Sequence, residues 1–76
     1  MATTVALRTR RFQAAAQLAG FRSDYALANA MEVERSTLSR VLKGSQRPGP
    51  LFIGGALKAL APLQFEDLFE VVPVRL

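Results

Sequence analysis

Between Arg35 and Arg47 the chain carries four basic residues, Arg35, Arg40, Lys43 and Arg47, and no acidic one. Ammonium and guanidinium groups neutralise phosphates, and a guanidinium fork can also meet O6 and N7 of guanine with two parallel hydrogen bonds. Placed on a helix, Leu38, Val41 and Leu42 fall within about 100° of arc, while Ser36, Arg40 and Lys43 lie on the opposite side. One face packs, and the other is polar and basic. Residues 1–48 hold a net charge of +5 and residues 49–76 a net −1, so the cationic surface belongs to the first two-thirds of the chain. Excess charge on a merely solvated face is the plainer alternative. An acidic partner such as nucleic acid is the first expectation.

Other chemistry is poorly provided for. The sequence has no cysteine and no histidine, which removes thiolate chemistry, most zinc sites and the commonest general base. Catalysis would rest on Asp24, Glu32, Glu34, Glu66, Asp67 and Glu70, which are scattered over surface-type positions without two facing a shared pocket. The expectation is therefore a protein that is not an enzyme and uses no metal, cofactor or small-molecule ligand. Arg8, Arg10 and Arg11 are not followed by an apolar run of signal-peptide length, and nothing approaches the ~20 apolar residues that span a bilayer. A cytoplasmic location and no membrane partner are expected. With 76 residues, the chain reads as one domain, 1–76, near the low end of what folds around a single core, where oligomerisation would add stability.

The elements that must position the basic face follow from periodicity and punctuation. Leu7, Phe12, Ala15, Ala16 and Ala19 predict a first helix from about Val5 to Ala19, with Gly20 as its stop. Ser23 is a good N-cap, with Asp24 in the first turn, for a short helix whose inner face is Leu27, Ala28 and Met31. Glu32, Val33 and Glu34 connect it to a third helix from about Arg35 to Lys43, closed by Gly44. The Gln46-Arg47-Pro48-Gly49-Pro50 loop cannot continue that helix. A fourth, Leu51 to about Ala61, supplies Phe52, Ile53, Ala56, Leu57 and Leu60, while Gly54 and Gly55 suggest close approach of another element. Phe65, Leu68 and Phe69 make a short fifth helix after Pro62. The tail, residues 71–76, is strand-like but broken by Pro73, an edge strand or a free end. Its Val71, Val72, Val74 and Leu76 are apolar enough to suggest either burial at a homodimer interface or packing back on the domain.

Two short helices, a three-residue turn and a basic outer face on the second meet the physical requirements of a helix-turn-helix over about residues 23–43. A small residue is needed where the helices cross, and Ala28 stands there. Val33, five positions on, plugs the corner, and Leu38 and Val41 are the i, i+3 pair that packs the second helix down. The departure is Glu32, where such turns prefer glycine because φ is positive.

The run Ala28-Asn-Ala-Met-Glu-Val33-Glu-Arg-Ser-Thr-Leu38-Ser-Arg-Val41-Leu-Lys-Gly44, continuing through Arg47-Pro48, resembles the phage Cro and repressor type of helix-turn-helix domain. The likeness extends over about residues 8–70, including Phe65-Glu-Asp-Leu-Phe69. It implies an all-α, compact, five-helix, lambda-repressor-like domain, with at most a short C-terminal strand. Its third helix would enter the major groove of double-stranded DNA, as a homodimer on a palindromic operator. It also implies that Arg35, Ser36, Ser39 and Arg40 contact bases. Gln17, Ser23, Thr37, Lys43, Ser45, Gln46 and Arg47 would contact phosphates, and Asp24 is awkward beside them. The function implied is a Cro-like repressor acting by operator occupancy. An antitoxin that represses its own operon and holds a toxin is the alternative.

Overall fold

The computed structural model describes residues 2–74, and its first element is not a helix. Thr3–Leu7 form strand β1, and helix α1 runs Thr9–Leu18 rather than from Val5. Thr3, Thr4 and Val5 are β-branched and suit a pleated strand, and a partner arrives from the other end of the chain. Strand β2, Phe69–Pro73, pairs antiparallel with β1, setting Leu7 opposite Phe69, Val5 opposite Val71 and Thr3 opposite Pro73. The all-α expectation is thus corrected, among the described residues, to five helices plus a two-stranded sheet. Of the two readings of the tail, the edge strand is the one observed, and it runs Phe69–Pro73, so that Phe69 belongs to β2 and not to the fifth helix. Of the tail's apolar residues, Val72 and Val74 are half-buried while Val71 stays exposed; Leu76 lies outside the described residues.

The other helices lie close to where their signals put them. They are α2 (Asp24–Met31), α3 (Arg35–Lys43), α4 (Pro50–Ala59) and α5 (Phe65–Leu68). Ser23 caps α2, its Oγ accepting the N–H of Ala26 at 3.1 Å, and Pro50 opens α4 at a position where its missing N–H costs nothing. Helix α5 is short, and its entry is held by the Asp67 carboxylate accepting the N–H of Gln64 at 2.8 Å.

Burial gathers on the faces that periodicity marks. Phe12, Leu27, Ala28, Met31, Leu38, Val41, Phe52, Ala56, Leu60, Leu68 and Phe69 are buried, and no polar or charged side chain joins them among the described residues. Phe52 from α4 bridges the two ends of the chain, its ring 5.9 Å from Phe12 and edge-on to Phe69 at 6.4 Å. Phe65 stacks on Phe69 at 5.2 Å. Arg8 ties the same junction with polar bonds. Its backbone N–H donates to Leu68 O at 2.8 Å, and its Nε donates to the carbonyls of Glu66 (3.1 Å) and Phe69 (3.2 Å).

Only one of the two adjacent glycines of α4 marks a close approach. A Cβ on Gly55 would stand 2.1 Å from the carbonyl oxygen of Met31, whereas one on Gly54 would meet nothing within 4 Å. The matched substitutions should therefore move stability in opposite directions. Gly54→Ala should raise unfolding free energy by about 0.5–1 kcal/mol through helix propensity. Gly55→Ala should lower it by about 1–3 kcal/mol by forcing α4 off α2. Denaturant unfolding of both variants checks this, and equal shifts would contradict the contact.

Candidate nucleic-acid interface

Three residues, Glu32 to Glu34, connect α2 to α3. Glu32 closes α2 in the left-handed region at φ 60°. Its N–H donates to Asn29 O at 3.1 Å, and the next N–H, of Val33, donates to Ala28 O at 3.1 Å, so the last carbonyls of the helix are satisfied in a Schellman arrangement. Ala28 is buried, and Val33 packs partly buried against the same core. Leu38 and Val41 close the corner from the α3 side, 0% and 3% exposed. With its inner face held in this way, α3 has little freedom to turn about its own axis.

Its outer face carries Ser36, Arg40 and Lys43 at i, i+4 and i+7, all exposed, with Arg35 exposed at the helix start. Ser39 and Thr37 flank that row, each half-buried. Among the described residues, neither Arg40 nor Lys43 lies within ion-pair distance of a carboxylate. The two ion pairs there, Arg8 with Glu70 and Lys58 with Glu32, leave the face of α3 untouched.

At the end of α3, Gly44 adopts φ 81° and the chain folds back over the helix. The Arg40 carbonyl accepts both the N–H of Ser45 at 3.0 Å and its Oγ–H at 3.2 Å. Gln46 Oε1 accepts from Arg40 Nε at 2.8 Å. Arg47 is exposed and Pro48 is buried, which pins the loop one residue beyond the last cation. Ser45 and Gln46, which the resemblance assigns to phosphates, thus have oxygens engaged with Arg40, while the Gln46 amide keeps its two N–H donors. That Arg40–Gln46 bond has no sequence signal beyond proximity in the chain.

Gln17 and Ser23 lie together on a separate groove of about 530 Å3 that also includes Arg22, Asp24 and, from α3, Leu42. Ser23 Oγ accepts from Ala26, so its own hydroxyl proton stays available for another acceptor. Lys43 and Arg47 are not part of that groove. Arg8, counted in the sequence among the cations of the basic two-thirds, is instead bound to backbone carbonyls at the α1 and α5 junction.

Glu32, the residue out of place in a glycine-preferring turn, is held from α4: its Oε2 accepts from Lys58 Nζ at 2.5 Å. Hydrogen bonding and charge from Lys58 lower the Glu32 carboxyl below its ordinary 4.5, and the same two causes, from Glu32, raise the Lys58 ammonium above its ordinary 10.5. A depressed carboxyl stabilises the fold fully above 4.5 and loses that effect as pH falls through the lowered value. A raised ammonium stabilises it fully below 10.5 and loses the effect as pH rises through the raised value. The parent should therefore exceed Lys58→Gln in stability between these limits, converge with it in acid and in strong base, and lose part of the difference in high salt because the pair is exposed. Chemical denaturation across pH checks this; a pH-independent difference would contradict the assignment.

No family model matches the chain, and no solved structure matches it either. The chain is similar to an uncharacterized HTH-type transcriptional regulator, YvzC, of Bacillus subtilis (strain 168), being 50% identical to it over 50 residues. The match takes in 62% of this chain and 64% of the relative, so less than two-thirds of that protein's length is represented. Among the described residues, no helix is long and apolar enough to cross a membrane.

Proposed function

We propose that this chain is a sequence-specific DNA-binding transcriptional regulator, in which α2, the Glu32–Glu34 turn and α3 act as a helix-turn-helix. The observation that carries the reading is the exposed row Ser36, Arg40 and Lys43 on a helix fixed by Leu38 and Val41. Such a helix fits the major groove, presents a guanidinium to base edges and places an ammonium where it meets the backbone. The name of the Bacillus relative supports the same class.

In this reading Arg35, Ser36, Ser39 and Arg40 face the bases. Lys43, Arg47 and the Gln46 amide follow the phosphates beyond the helix, joined by Thr37, which lines the same groove as Gln46, and Gln17 and Ser23 hold them on the other flank. The protein works without catalysis, in the cytoplasm, as a homodimer that occupies a palindromic operator and excludes polymerase from it.

The two chemical roles on α3 separate experimentally. Arg40→Ala should lose about 1–3 kcal/mol on the preferred duplex and much less on unrelated DNA, because a bidentate contact discriminates between bases. Lys43→Ala should weaken binding to all duplexes alike and reduce the slope of log affinity against log salt by roughly one unit. Titrations of both variants on specific and random duplexes at several salt concentrations give the answer. Equal weakening of both duplexes by Arg40→Ala would move base reading to Arg35, Ser36 and Ser39, and an absence of salt-dependent binding by the parent would overturn the function.

A further inference from the structure

An exposed arginine of the proposed reading face is held by a residue of the following loop. Arg40 Nε donates to Gln46 Oε1 at 2.8 Å. The guanidinium has only donors, so the amide oxygen is the atom that must face it. Gln46 is in turn placed by Arg40's own helix end, since the Arg40 carbonyl accepts both the N–H and the hydroxyl of Ser45, and by the burial of Pro48 two residues further on. The loop is therefore fastened on both sides of the residue that grips the arginine.

This grip decides which donors remain. A guanidinium meets guanine O6 and N7 either side-on, through Nε and one Nη, or end-on, through both Nη groups. With Nε engaged by Gln46, the free pair is Nη1 and Nη2, and an arginine on a long flexible stem is ordered before DNA arrives. We propose that Gln46 is a positioning residue that presents Arg40 end-on to a guanine, and so sets specificity at a base pair it does not itself touch. This inference rests on the DNA-binding reading above. It adds to the phosphate role of Gln46, because the amide N–H donors are not consumed by the grip.

The test uses the parent, Arg40→Ala, Gln46→Ala and Gln46→Glu on the duplex the parent selects, on a random duplex, and on preferred duplexes with each guanine replaced singly by 7-deazaguanine, which lacks N7. The parent should lose about 5- to 100-fold at one guanine position, equivalent in the two half-sites, and Arg40→Ala should be insensitive to that replacement. Gln46→Ala should lose most of the same sensitivity. Gln46→Glu keeps an acceptor for Nε, so it should retain the sensitivity while its added charge weakens the preferred and random duplexes by a common factor. Full guanine sensitivity in Gln46→Ala, with both duplexes weakened equally, would overturn the positioning role and leave a phosphate contact alone. A parent that binds no duplex would overturn the DNA-binding reading and this one together; a parent that selects a duplex but shows no guanine linked to Arg40 would overturn this one only.

Discussion

The carbonyl oxygen of Met31, at the last residue of α2, lies so close to α4 at Gly55 that no side chain fits between them. That contact fixes where α2 ends against the rest of the core, and the three residues after it have no slack. Val33 N–H closes on Ala28 O, Val33 itself fills the corner, and α3 starts at Arg35. The direction in which Arg40 and Lys43 point is thus inherited from a backbone contact made on the other side of α2. Glu32 sits at the hinge of this arrangement with a positive φ, and the Lys58 bond from α4 fastens its side chain to the same helix that Gly55 brings close.

Charge is divided by position more sharply than the total suggests. Arg8 is held by the carbonyls of Glu66 and Phe69 and stands 3.8 Å from Glu70, where it joins the first helix to the end of the chain. Lys58 answers Glu32. What remains along α3 and its following loop is a set of cations that form no ion pair among the described residues, next to hydroxyl and amide groups. A surface of that kind favours a polyanion and gains little from structure-making salt bridges.

Much of this was legible in the sequence, and for local reasons. The bounds of α3 follow from Leu38, Val41 and Leu42 on one face and Gly44 behind them; the start of α2 follows from Ser23, whose capping bond is local. The N-terminal strand was not legible. Leu7 and Phe12 fit a helical period well enough to extend α1 over Val5, and only pairing with residues 69–73, far along the chain, makes Thr3–Leu7 a strand. Phe69 reads as part of the fifth helix for the same reason, since its hydrophobic spacing suits a helix while its backbone belongs to the ladder. On the outer face of α3, the outward position of Arg40 follows from spacing. Its hold on Gln46 depends on how the loop folds back after Gly44, which composition does not encode.

The claim at the centre of this account is that the outer face of α3 reads DNA sequence. Selection of bound molecules from a random pool of duplexes, carried out in parallel with the parent and with a Ser36→Ala, Arg40→Ala double variant, tests it most directly. The parent should enrich a short consensus containing guanine, arranged as an inverted repeat with half-site centres about one helical turn apart, and the double variant should lose that consensus while still binding DNA at low salt. Enrichment of the same consensus by both proteins, or of none by the parent, would contradict it.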